Sequence, residues 1–498
     1  MAADGVATAP TQVVSLAACT SFILTTNAGL EQLTADELLE AAAAINLDPP
    51  IESADVELRP WDCFGRVLLR RPATTAVEPA LERTLTALRS VHDVLHHHAM
   101  LPLPDAVDPP LALYELLRGV PLAEGGGGPV PTLTGGERSF RVSCVREGAH
   151  AFTSLDIERE AGGALHELYG AKASMKQFDV RVRVDVAKGV VLVGSALNRE
   201  PLSRRHKLAF TRSVTLKPNV AYALLRLARL SGSTTTTTLL DPCCGSGTLP
   251  LEAAEALGIS AVGVDKSLAV VKGAQSNAEA AELTGLCTFR QGNCRSLGTL
   301  FPPESFDVIV TNAPWGVQTA KASEGDPLLE KIYRGLLYSS HAVTKPRSLM
   351  VVLVLRWTLI VDLARRSGLW RVVELLPIRT SHLTPVAVLL ERCDRDEARL
   401  QVHARFAELA GYFDFVENAA KNGAHAAQMP GSAEQSSTDI AAEGGEGGKG
   451  RGKGRGRGKG MGGYGGRGGG GARSDSDGRQ PSPSQPAPPA SEAPVDCA

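Results

Sequence analysis

The sequence predicts an α/β protein whose second half is a doubly wound parallel sheet, and three observations support that class. From about residue 218 to 395, strand-like and helix-like stretches alternate along the chain, as such a sheet requires. A glycine-rich loop, DPCCGSG, follows the first strand-like stretch. The last two strands are joined by RTSHLTP alone, which is too short for a parallel crossover, so the final strand should run antiparallel.

The predicted strands of this sheet are short apolar or β-branched runs. They are 236–240, 261–264, 286–290, 306–310, 348–355, 370–378 and 386–392. Helical spacing of apolar residues begins near Thr248, Ser267, Pro327 and Trp357. Seven strands that end in a hairpin resemble the class I methyltransferase fold.

Two small α+β units precede this sheet. The first has an apolar strand, a helix, the strand CFGRVLLRR and a predicted helix over ALERTLTALRSVHDVLHH. The second has a strand, a helix with Ser154 and Glu158 near its capped start, and two strands around a Lys-Gly turn. The predicted segments are a flexible N-terminus (1–20), the first unit (21–105), a Pro/Gly-rich linker around a short helix (106–138), the second unit (139–200), a basic connector (201–217), the sheet domain (218–415) and a disordered tail (416–498).

Composition restricts the class of protein. With 498 residues, 43% of them hydrophobic, the chain has ample material for packed cores, and its longest apolar runs fall far short of the roughly 20 residues of a membrane span. Its nine cysteines form no C-x-x-C pair, and the histidines of HDVLHHH lack companion ligands, so neither disulfides nor a metal is indicated. The first basic residue is Arg59, which argues against a leader peptide and favours the cytoplasm, with the nucleus as a second compartment.

Basic residues concentrate in two places, and each admits two interpretations. Those around the connector can contact RNA phosphates or can form a solvated linker. Residues 449 to 473 hold eight Lys or Arg and no acid among many glycines, which is typical of Arg/Gly segments that bind RNA weakly or of a solubilising tail. The candidate RNA-binding residues are Arg199, Arg204, Arg205, Lys207, Arg212 and Lys217.

The glycine loop predicts a nucleotide-like cofactor. Gly245 and Gly247 allow a tight turn and close approach of a ligand, and Asp265, 18 residues after Gly247, suits a ribose, as it would in an NAD site. The loop lacks the G-x-G-x-x-G spacing that binds a pyrophosphate, which favours S-adenosyl-L-methionine; Asp241 could accept its amino group and Asn293 could pair with its adenine. The candidate cofactor-binding residues are Asp241, Cys243, Gly245, Gly247, Thr248, Asp265, Lys266, Asn293, Cys294 and Asn312.

The fourth strand of the sheet ends in the segment TNAPWG. Its residues Asn312, Ala313, Pro314 and Trp315 match the motif of methyltransferases that act on planar nitrogens: Asp, Asn or Ser, any residue, Pro, and an aromatic residue. Together with DPCCGSGTLPLEAA, this segment resembles the THUMP-domain family of RNA guanine-N2 methyltransferases. The resemblance covers roughly residues 20 to 395, with a ferredoxin-like region first and a THUMP-like segment at about 139 to 200.

The resemblance implies a reaction and a partner. It implies S-adenosylmethionine-dependent formation of N2-methylguanosine in RNA, most closely at the sixth nucleotide of the tRNA acceptor stem, and a small zinc-binding activator subunit. The Asn312 side chain and the Ala313 carbonyl would accept the guanine N–H bonds, Pro314 would keep that carbonyl rigid, and Trp315 would stack on the base.

Three alternatives stay open on the sequence. One is guanine-N2 methylation of a small nuclear RNA, a second is methylation of adenine N6 or a protein glutamine, and a third is a catalytically silent RNA-binding protein. The chain also departs from the family pattern at two positions. Ala313 stands where many relatives of the wider group have Pro, and Asn293 stands where an acid is usual.

Overall fold

The computed structural model describes two sheets, each covered by helices. The described residues are 19–72, 79–103, 109–117, 138–148, 150–187, 189–206, 208–212, 215–230, 236–316, 327–380 and 383–393. Outside the described residues lie residues 1–18, residues 394–415 of the predicted sheet domain and the predicted tail. Cys19 and Thr20, assigned to the flexible N-terminus, already belong to the first strand.

The first predicted unit forms four antiparallel strands with two helices. Its elements are β1 (Cys19–Thr25), α1 (Glu31–Ala43), β2 (Val56–Leu58), β3 (Arg66–Pro72), α2 (Pro79–Ala87) and β4 (Asp93–Pro102). Strand β1 pairs with β3 and β4 on its two sides. The helix predicted over ALERTLTALRSVHDVLHH is therefore wrong in its second half, because Val94 and Leu95 are buried in a strand that pairs with β1.

The second unit continues the same sheet rather than forming a separate one. Its elements are α3 (Pro109–Leu117), β5 (Ser139–Ser143), β6 (Arg146–Glu147), α4 (Ser154–Tyr169), β7 (Lys172–Ala173), β8 (Val180–Ala187) and β9 (Val190–Ala196). Strand β9 pairs antiparallel with β4, so the sheet has the order β2-β3-β1-β4-β9-β8-β5-β7, with β6 beside β8.

Two local predictions in the second unit need correction. The predicted linker contains α3, whose Leu113 and Leu117 are buried in one core cluster with Ile157 of α4, so this helix belongs to the folded unit. Helix α4 is capped one residue earlier than predicted: the side chain of Thr153 accepts from the N–H of Asp156, and the Asp156 carboxylate accepts from the N–H of Thr153.

The second sheet confirms the predicted fold class. Its elements are α5 (Pro218–Leu227), β10 (Thr238–Asp241), α6 (Thr248–Leu257), β11 (Ser260–Asp265), α7 (Leu268–Ala280), β12 (Cys287–Gln291), β13 (Phe306–Asn312), α8 (Pro327–Val343), β14 (Thr344–Val354), α9 (Trp357–Ser367), β15 (Trp370–Pro377) and β16 (Val386–Arg392). The order is β12-β11-β10-β13-β14-β16-β15. The first five of these are parallel, and β16 runs antiparallel to both neighbours.

The two sheets are connected through the turn between β1 and α1. The N–H of Arg379 donates to the carbonyl of Ala28 over 2.9 Å, and the Asn27 amide donates to the carbonyl of Arg379 over 2.7 Å. Leu30 is fully buried in a cluster that includes Val220 of α5. The start of α1 thereby lies directly against the end of β15.

A buried ion network adds to this junction. The Arg89 guanidinium donates through Nε to Glu252 of α6 over 2.6 Å, and Glu252 is fully buried. Nε2 of His206 lies 2.9 Å from the same carboxylate. Breaking such a buried pair leaves an uncompensated charge, which is strongly destabilising, so the network fixes the first sheet against α6.

In the part of the chain that the structure describes, no helix is both long enough and apolar enough to cross a membrane.

At Gly29 the junction between the two sheets leaves no room for a side chain. The φ of Gly29 is +100°, and a Cβ would lie 2.0 Å from the Pro377 carbonyl oxygen. Gly170 is a matched control, because its φ is +65° but a Cβ there would meet nothing within 4 Å. Gly170→Ala should cost about 1–2 kcal/mol of left-handed strain, whereas Gly29→Ala adds an overpacking cost of about 1–3 kcal/mol.

The measurement is the urea midpoint of unfolding for both variants beside the wild type. Gly29→Ala should lower the midpoint clearly more than Gly170→Ala does. Equal midpoints would show that the close approach of β15 to the turn before α1 does not constrain the fold.

Candidate active site

Asp241 ends β10 at the centre of the candidate site. Its side chain is buried, and Oδ1 accepts from the Thr311 hydroxyl over 2.7 Å and from the Cys243 N–H over 3.1 Å. Burial raises the pKa of this carboxyl to about 7, and the nearby charge of Asp265 acts in the same direction. A cationic ligand group beside it would favour the ionised form, as the predicted contact with an amino group requires.

The glycine loop after β10 has the open backbone that the sequence predicts. Gly245 has a φ of +52°, and a Cβ there would meet nothing within 4 Å. Gly247 has a φ of +85°, and its Cβ would lie 3.0 Å from the Phe289 ring. Glycine is therefore required at the second position by packing as well as by conformation. Thr248, the first residue of α6, is buried, and its hydroxyl has no hydrogen-bond partner among the described residues.

The end of β11 supplies the predicted acid. Asp265 is half-buried, and its Oδ1 accepts from the Ser267 N–H over 2.9 Å. The backbone carbonyl of Asp265 also accepts from the Gly292 N–H over 3.0 Å, which places the loop after β12 beside it. Lys266 is exposed. The carboxylate is thus held at the same sheet edge as Asp241, where it can meet the hydroxyls of a ligand.

The loop after β12 carries Asn293 and Cys294. The Asn293 amide oxygen accepts from the N–H of Arg295 over 3.0 Å and from its Nε over 3.3 Å. The side chain can therefore offer a ligand its NH2 group while the oxygen stays bound to Arg295. Beside it, Cys294 is half-buried, as is Cys243 in the loop after β10.

Asn312 ends β13, directly beside β10 in the sheet. Its side-chain oxygen is buried and has no hydrogen-bond partner among the described residues. Leaving a buried acceptor unpaired costs about 1–3 kcal/mol, so the oxygen is a ready acceptor for a ligand N–H. The neighbouring Ala313 is held by its own N–H, which donates to the Leu353 carbonyl over 3.2 Å.

Tyr333, which no local sequence pattern identifies, supports this motif. The fully buried Tyr333 of α8 donates its hydroxyl to the carbonyl of Pro314 over 2.7 Å. Burial raises the pKa of the Tyr333 phenol, so the phenol keeps its proton and remains a donor. Nothing in the local pattern of α8 could identify the contact, because it joins residues 19 apart across a segment outside the described residues.

Trp315 lies half-buried at the end of the motif. The indole packs against the core cluster that contains Val220 and Leu224 of α5. Its Nε1 is buried and has no hydrogen-bond partner among the described residues. The predicted stacking role thus depends on the part of the indole that the core leaves open.

The predicted RNA-binding residues separate into two groups. Arg199, Arg204, Arg212 and Lys217 are exposed. Arg205 is instead half-buried at the junction, where its guanidinium donates to the Arg89 carbonyl and lies 3.7 Å from Glu252, so it is less open to RNA than the other four. Lys207 lies outside the described residues.

The HDVLHHH histidines belong to the first sheet or the turn before β4, and among the described residues they do not come together with other ligands in a group that could hold a metal ion. Burial lowers the pKa of His96 and His97 to about 4, which fits neutral rings inside the sheet. His206, Glu252 and Glu255 are close enough to share an ion, but Arg89 already forms ion pairs with both carboxylates.

Two family models match the chain. The model described as THUMP domain matches residues 129–195, and the model described as RMKL-like, methyltransferase domain matches residues 205–384. The THUMP match begins inside the segment predicted as a linker.

Two relatives illustrate the similarity in sequence. The tRNA (guanine(6)-N2)-methyltransferase of Thermus thermophilus is 36% identical over 339 residues, which are 67% of this chain and 88% of that protein. The U6 snRNA (guanine-N(2))-methyltransferase THUMPD2 of Bos taurus is 30% identical over 201 residues, 40% of this chain and 38% of that protein.

A solved structure agrees with the sequence relatives. The crystal structure of TrmN from Thermus thermophilus has a TM-score of 0.56 and 31% identity, and the match covers 75% of this chain and 100% of that one.

Because Asp241 is buried, ligand binding should depend on pH. The test ligand is S-adenosyl-L-homocysteine, which carries an ammonium group. Free Asp241 has a pKa of about 7, and a ligand cation favours the carboxylate, so binding at lower pH must expel a proton. The affinity should therefore be about tenfold weaker at pH 6 than at pH 8, which means a dissociation constant about tenfold larger at pH 6. Calorimetry across this range measures it.

Two variants separate this effect from general titration. Asp241→Asn should bind weakly with a flat profile. Thr311→Val, which removes a hydrogen bond that lowers the Asp241 pKa, should move the profile to higher pH. A wild-type affinity that stays constant from pH 6 to 8 would contradict the role of Asp241.

Proposed function

This chain belongs to the THUMP-domain family of S-adenosylmethionine-dependent RNA guanine-N2 methyltransferases, and from that premise we propose that it methylates guanine N2 at the sixth nucleotide of tRNA. The predicted family, methyltransferase class and cofactor are confirmed by the two family models and by the relative that matches 67% of the chain. The observation that carries the proposed chemistry is the unpaired side-chain oxygen of Asn312, because an acceptor in this place suits an exocyclic amine.

The residues at the sheet edge suit the cofactor. The open loop at Gly245, the buried Asp241 and the half-buried Asp265 offer close backbone, a carboxyl for an amino group and a carboxylate for ribose hydroxyls. When bound, S-adenosyl-L-methionine supplies an electrophilic methyl group. The remaining task of the protein is to hold the guanine amine beside that group.

Acceptors serve this amine better than a strong base does. The N2 lone pair of guanine is delocalised into the ring, so hydrogen bonds from its N–H groups to Asn312 and the Ala313 carbonyl favour a localised lone pair. Tyr333 fixes the following carbonyl of Pro314, which keeps the backbone of the motif in place. Positioning of this kind supplies a large part of many rate enhancements.

Access to a guanine in a stem requires unstacking, which costs a few kcal/mol. The half-buried Trp315 is suited to receive the base, since stacking on an aromatic side chain contributes about 1–3 kcal/mol. The exposed Arg199 and Arg204 lie between the THUMP and methyltransferase segments, Arg212 and Lys217 lie near the start of the methyltransferase segment, and all four would contact phosphates. We also propose a separate zinc-binding activator subunit as a partner, on the family resemblance alone, and the cytoplasm, with the nucleus second, as the compartment.

U6 snRNA is a second candidate substrate, because one relative is a U6 snRNA (guanine-N(2))-methyltransferase. The test is transfer of labelled methyl to three transcripts, with and without a zinc-binding activator subunit. They are a tRNA with a G–C pair at the sixth nucleotide, the same tRNA with an A–U pair there, and U6 snRNA.

Nucleoside mass spectrometry identifies the product. N2-methylguanosine in the first tRNA alone supports the proposal. Methylation of U6 snRNA alone would replace the substrate, and equal labelling of both tRNAs would show that the sixth nucleotide is not the target.

Asn312→Ala tests the proposed acceptor. Its loss should lower kcat by about 10²–10³-fold and leave the affinity for S-adenosyl-L-homocysteine little changed, because Asp241 and Asp265 remain. Asn293→Ala is the matched control and should change cofactor affinity more than kcat. Single-turnover kinetics and calorimetry separate these quantities, and equal effects of both variants on both quantities would contradict the assignment.

Tyr333→Phe tests the support of the motif. The variant keeps the buried ring and removes only the hydroxyl that donates to Pro314, so Tm should change little. Because a misplaced acceptor is poorly aligned, kcat should fall by about ten- to a hundredfold with cofactor affinity retained. An unchanged kcat would show that the motif does not depend on this hydrogen bond.

A further inference from the structure

We propose that Ser339 of α8 is a positioning residue for S-adenosylmethionine, because its hydroxyl holds the loop after β12 (residues 292–296) that carries Asn293. This role rests on the cofactor site within the proposed function and does not depend on which RNA is methylated. Ligand affinity therefore tests it, and a wrong RNA substrate would leave the result unchanged.

The Ser339 hydroxyl reaches the loop directly. Its Oγ donates to the backbone carbonyl of Cys294, and the side chain is buried. A serine hydroxyl carries one proton, which inside a helix can also go to a carbonyl of the preceding turn. The Leu336 carbonyl is that alternative acceptor, at 3.3 Å, and the Cys294 carbonyl lies closer. The hydroxyl thus joins α8 to the loop rather than to its own helix.

A second contact between α8 and the loop lies at Gly335. A Cβ there would lie 2.6 Å from Cγ and 2.7 Å from Cβ of Arg295, so the Arg295 side chain crosses α8 where the helix has no side chain of its own. Glycine is unfavourable inside a helix relative to alanine, and Gly335 lies well inside α8. The close approach of Arg295 accounts for the glycine.

Arg295 extends this contact to Asn293. The backbone N–H of Arg295 donates to the Asn293 amide oxygen over 3.0 Å, and its Nε donates to the same oxygen over 3.3 Å. Helix α8 therefore supports the loop at two points, at the Cys294 carbonyl through Ser339 and at the Asn293 side chain through Arg295.

The loop is also anchored to the sheet. The N–H of Gly292 donates to the carbonyl of Asp265 over 3.0 Å, and Cys294 packs against the core cluster that contains Leu336 of α8. The loop is therefore held between β11 and α8. This arrangement fixes Asp265, predicted to bind the ribose, relative to Asn293, predicted to pair with the adenine. Without the Ser339 bond, ligand binding would have to order one side of the loop, which lowers affinity.

Helix α8 supports the catalytic motif through a different residue. The Tyr333 hydroxyl donates to the Pro314 carbonyl over 2.7 Å, whereas the Ser339 hydroxyl donates to Cys294. One helix thus holds the motif proposed to receive guanine and the loop proposed to receive adenine by two separate hydrogen bonds. Loss of the Ser339 bond should therefore change ligand affinity, in contrast to the effect on kcat expected for Tyr333.

The experiment measures the affinity of the full-length protein for S-adenosyl-L-homocysteine by calorimetry and the melting temperature of the ligand-free protein. Ser339→Ala should weaken the affinity about three- to tenfold, and Tm should fall by no more than a few degrees. Ser340→Ala is the matched control and should keep the wild-type affinity, because the Ser340 hydroxyl is buried on the same helix and has no hydrogen-bond partner among the described residues.

A second pair of variants tests the contact at Gly335. Gly335→Ala places a Cβ where Arg295 lies and should weaken the affinity at least as much as Ser339→Ala does. Gly162, inside α4, is the matched control, because a Cβ there would meet nothing within 4 Å. Gly162→Ala should therefore keep the wild-type affinity.

A double variant separates positioning from general stability. Because Ser339 and Asn293 act through the same loop, Ser339→Ala combined with Asn293→Ala should weaken the affinity by less than the product of the two single effects. A serine that only stabilises the fold would lower Tm and leave the affinity of the folded protein unchanged. Unchanged affinity in Ser339→Ala, an equal loss in Ser340→Ala, or fully independent effects of Ser339 and Asn293 would each overturn the proposal.

Discussion

The parallel pairing of β10 with β11 on one side and with β13 on the other is the constraint on which the site depends. Parallel strands end at the same edge of a sheet, so residues far apart in sequence arrive together there. Asp241, Asp265 and Asn312 each terminate one of these strands. The hydrogen bond from Thr311 to Asp241 joins β13 to β10 directly at this edge, and thereby links the proposed acceptor for the base to the proposed carboxyl for the cofactor.

The junction with the first sheet places the RNA-binding part of the chain on the same framework. Helix α6 begins at Thr248, beside the glycine loop, and carries Glu252. The Arg89 guanidinium, in the turn between α2 and β4, forms an ion pair with the Glu252 carboxylate. At a second contact between the two sheets, the turn before α1 lies so close to the end of β15 that Gly29 has no room for a side chain. An attachment of this kind suits the proposed reaction, in which one base is unstacked at a fixed distance from the RNA-binding segment.

Local patterns were sufficient for the strands of the second sheet, because they are short buried runs and a helix follows most of them. The glycine loop and the residues from Asn312 to Trp315 could also be recognised, since each is contiguous in sequence. Contacts between residues far apart in sequence could not be recognised in this way. The segment containing Val94 and Leu95 looks helical in isolation and becomes a strand only because β1 and β9 flank it. Arg205 resembles a surface cation until Glu252 is seen beside it, and Tyr333 gives no local signal for its bond to Pro314.

The acceptors at the end of β13 are proposed to recognise the exocyclic amine at guanine N2. The most direct test replaces the sixth guanosine of the tRNA by inosine, which keeps pairing with cytosine and lacks only that amine. The inosine tRNA should bind as tightly as the guanosine tRNA and should accept no methyl group. Methyl transfer to inosine at this position would rule out guanine N2 as the target, because it would place the reaction at another atom.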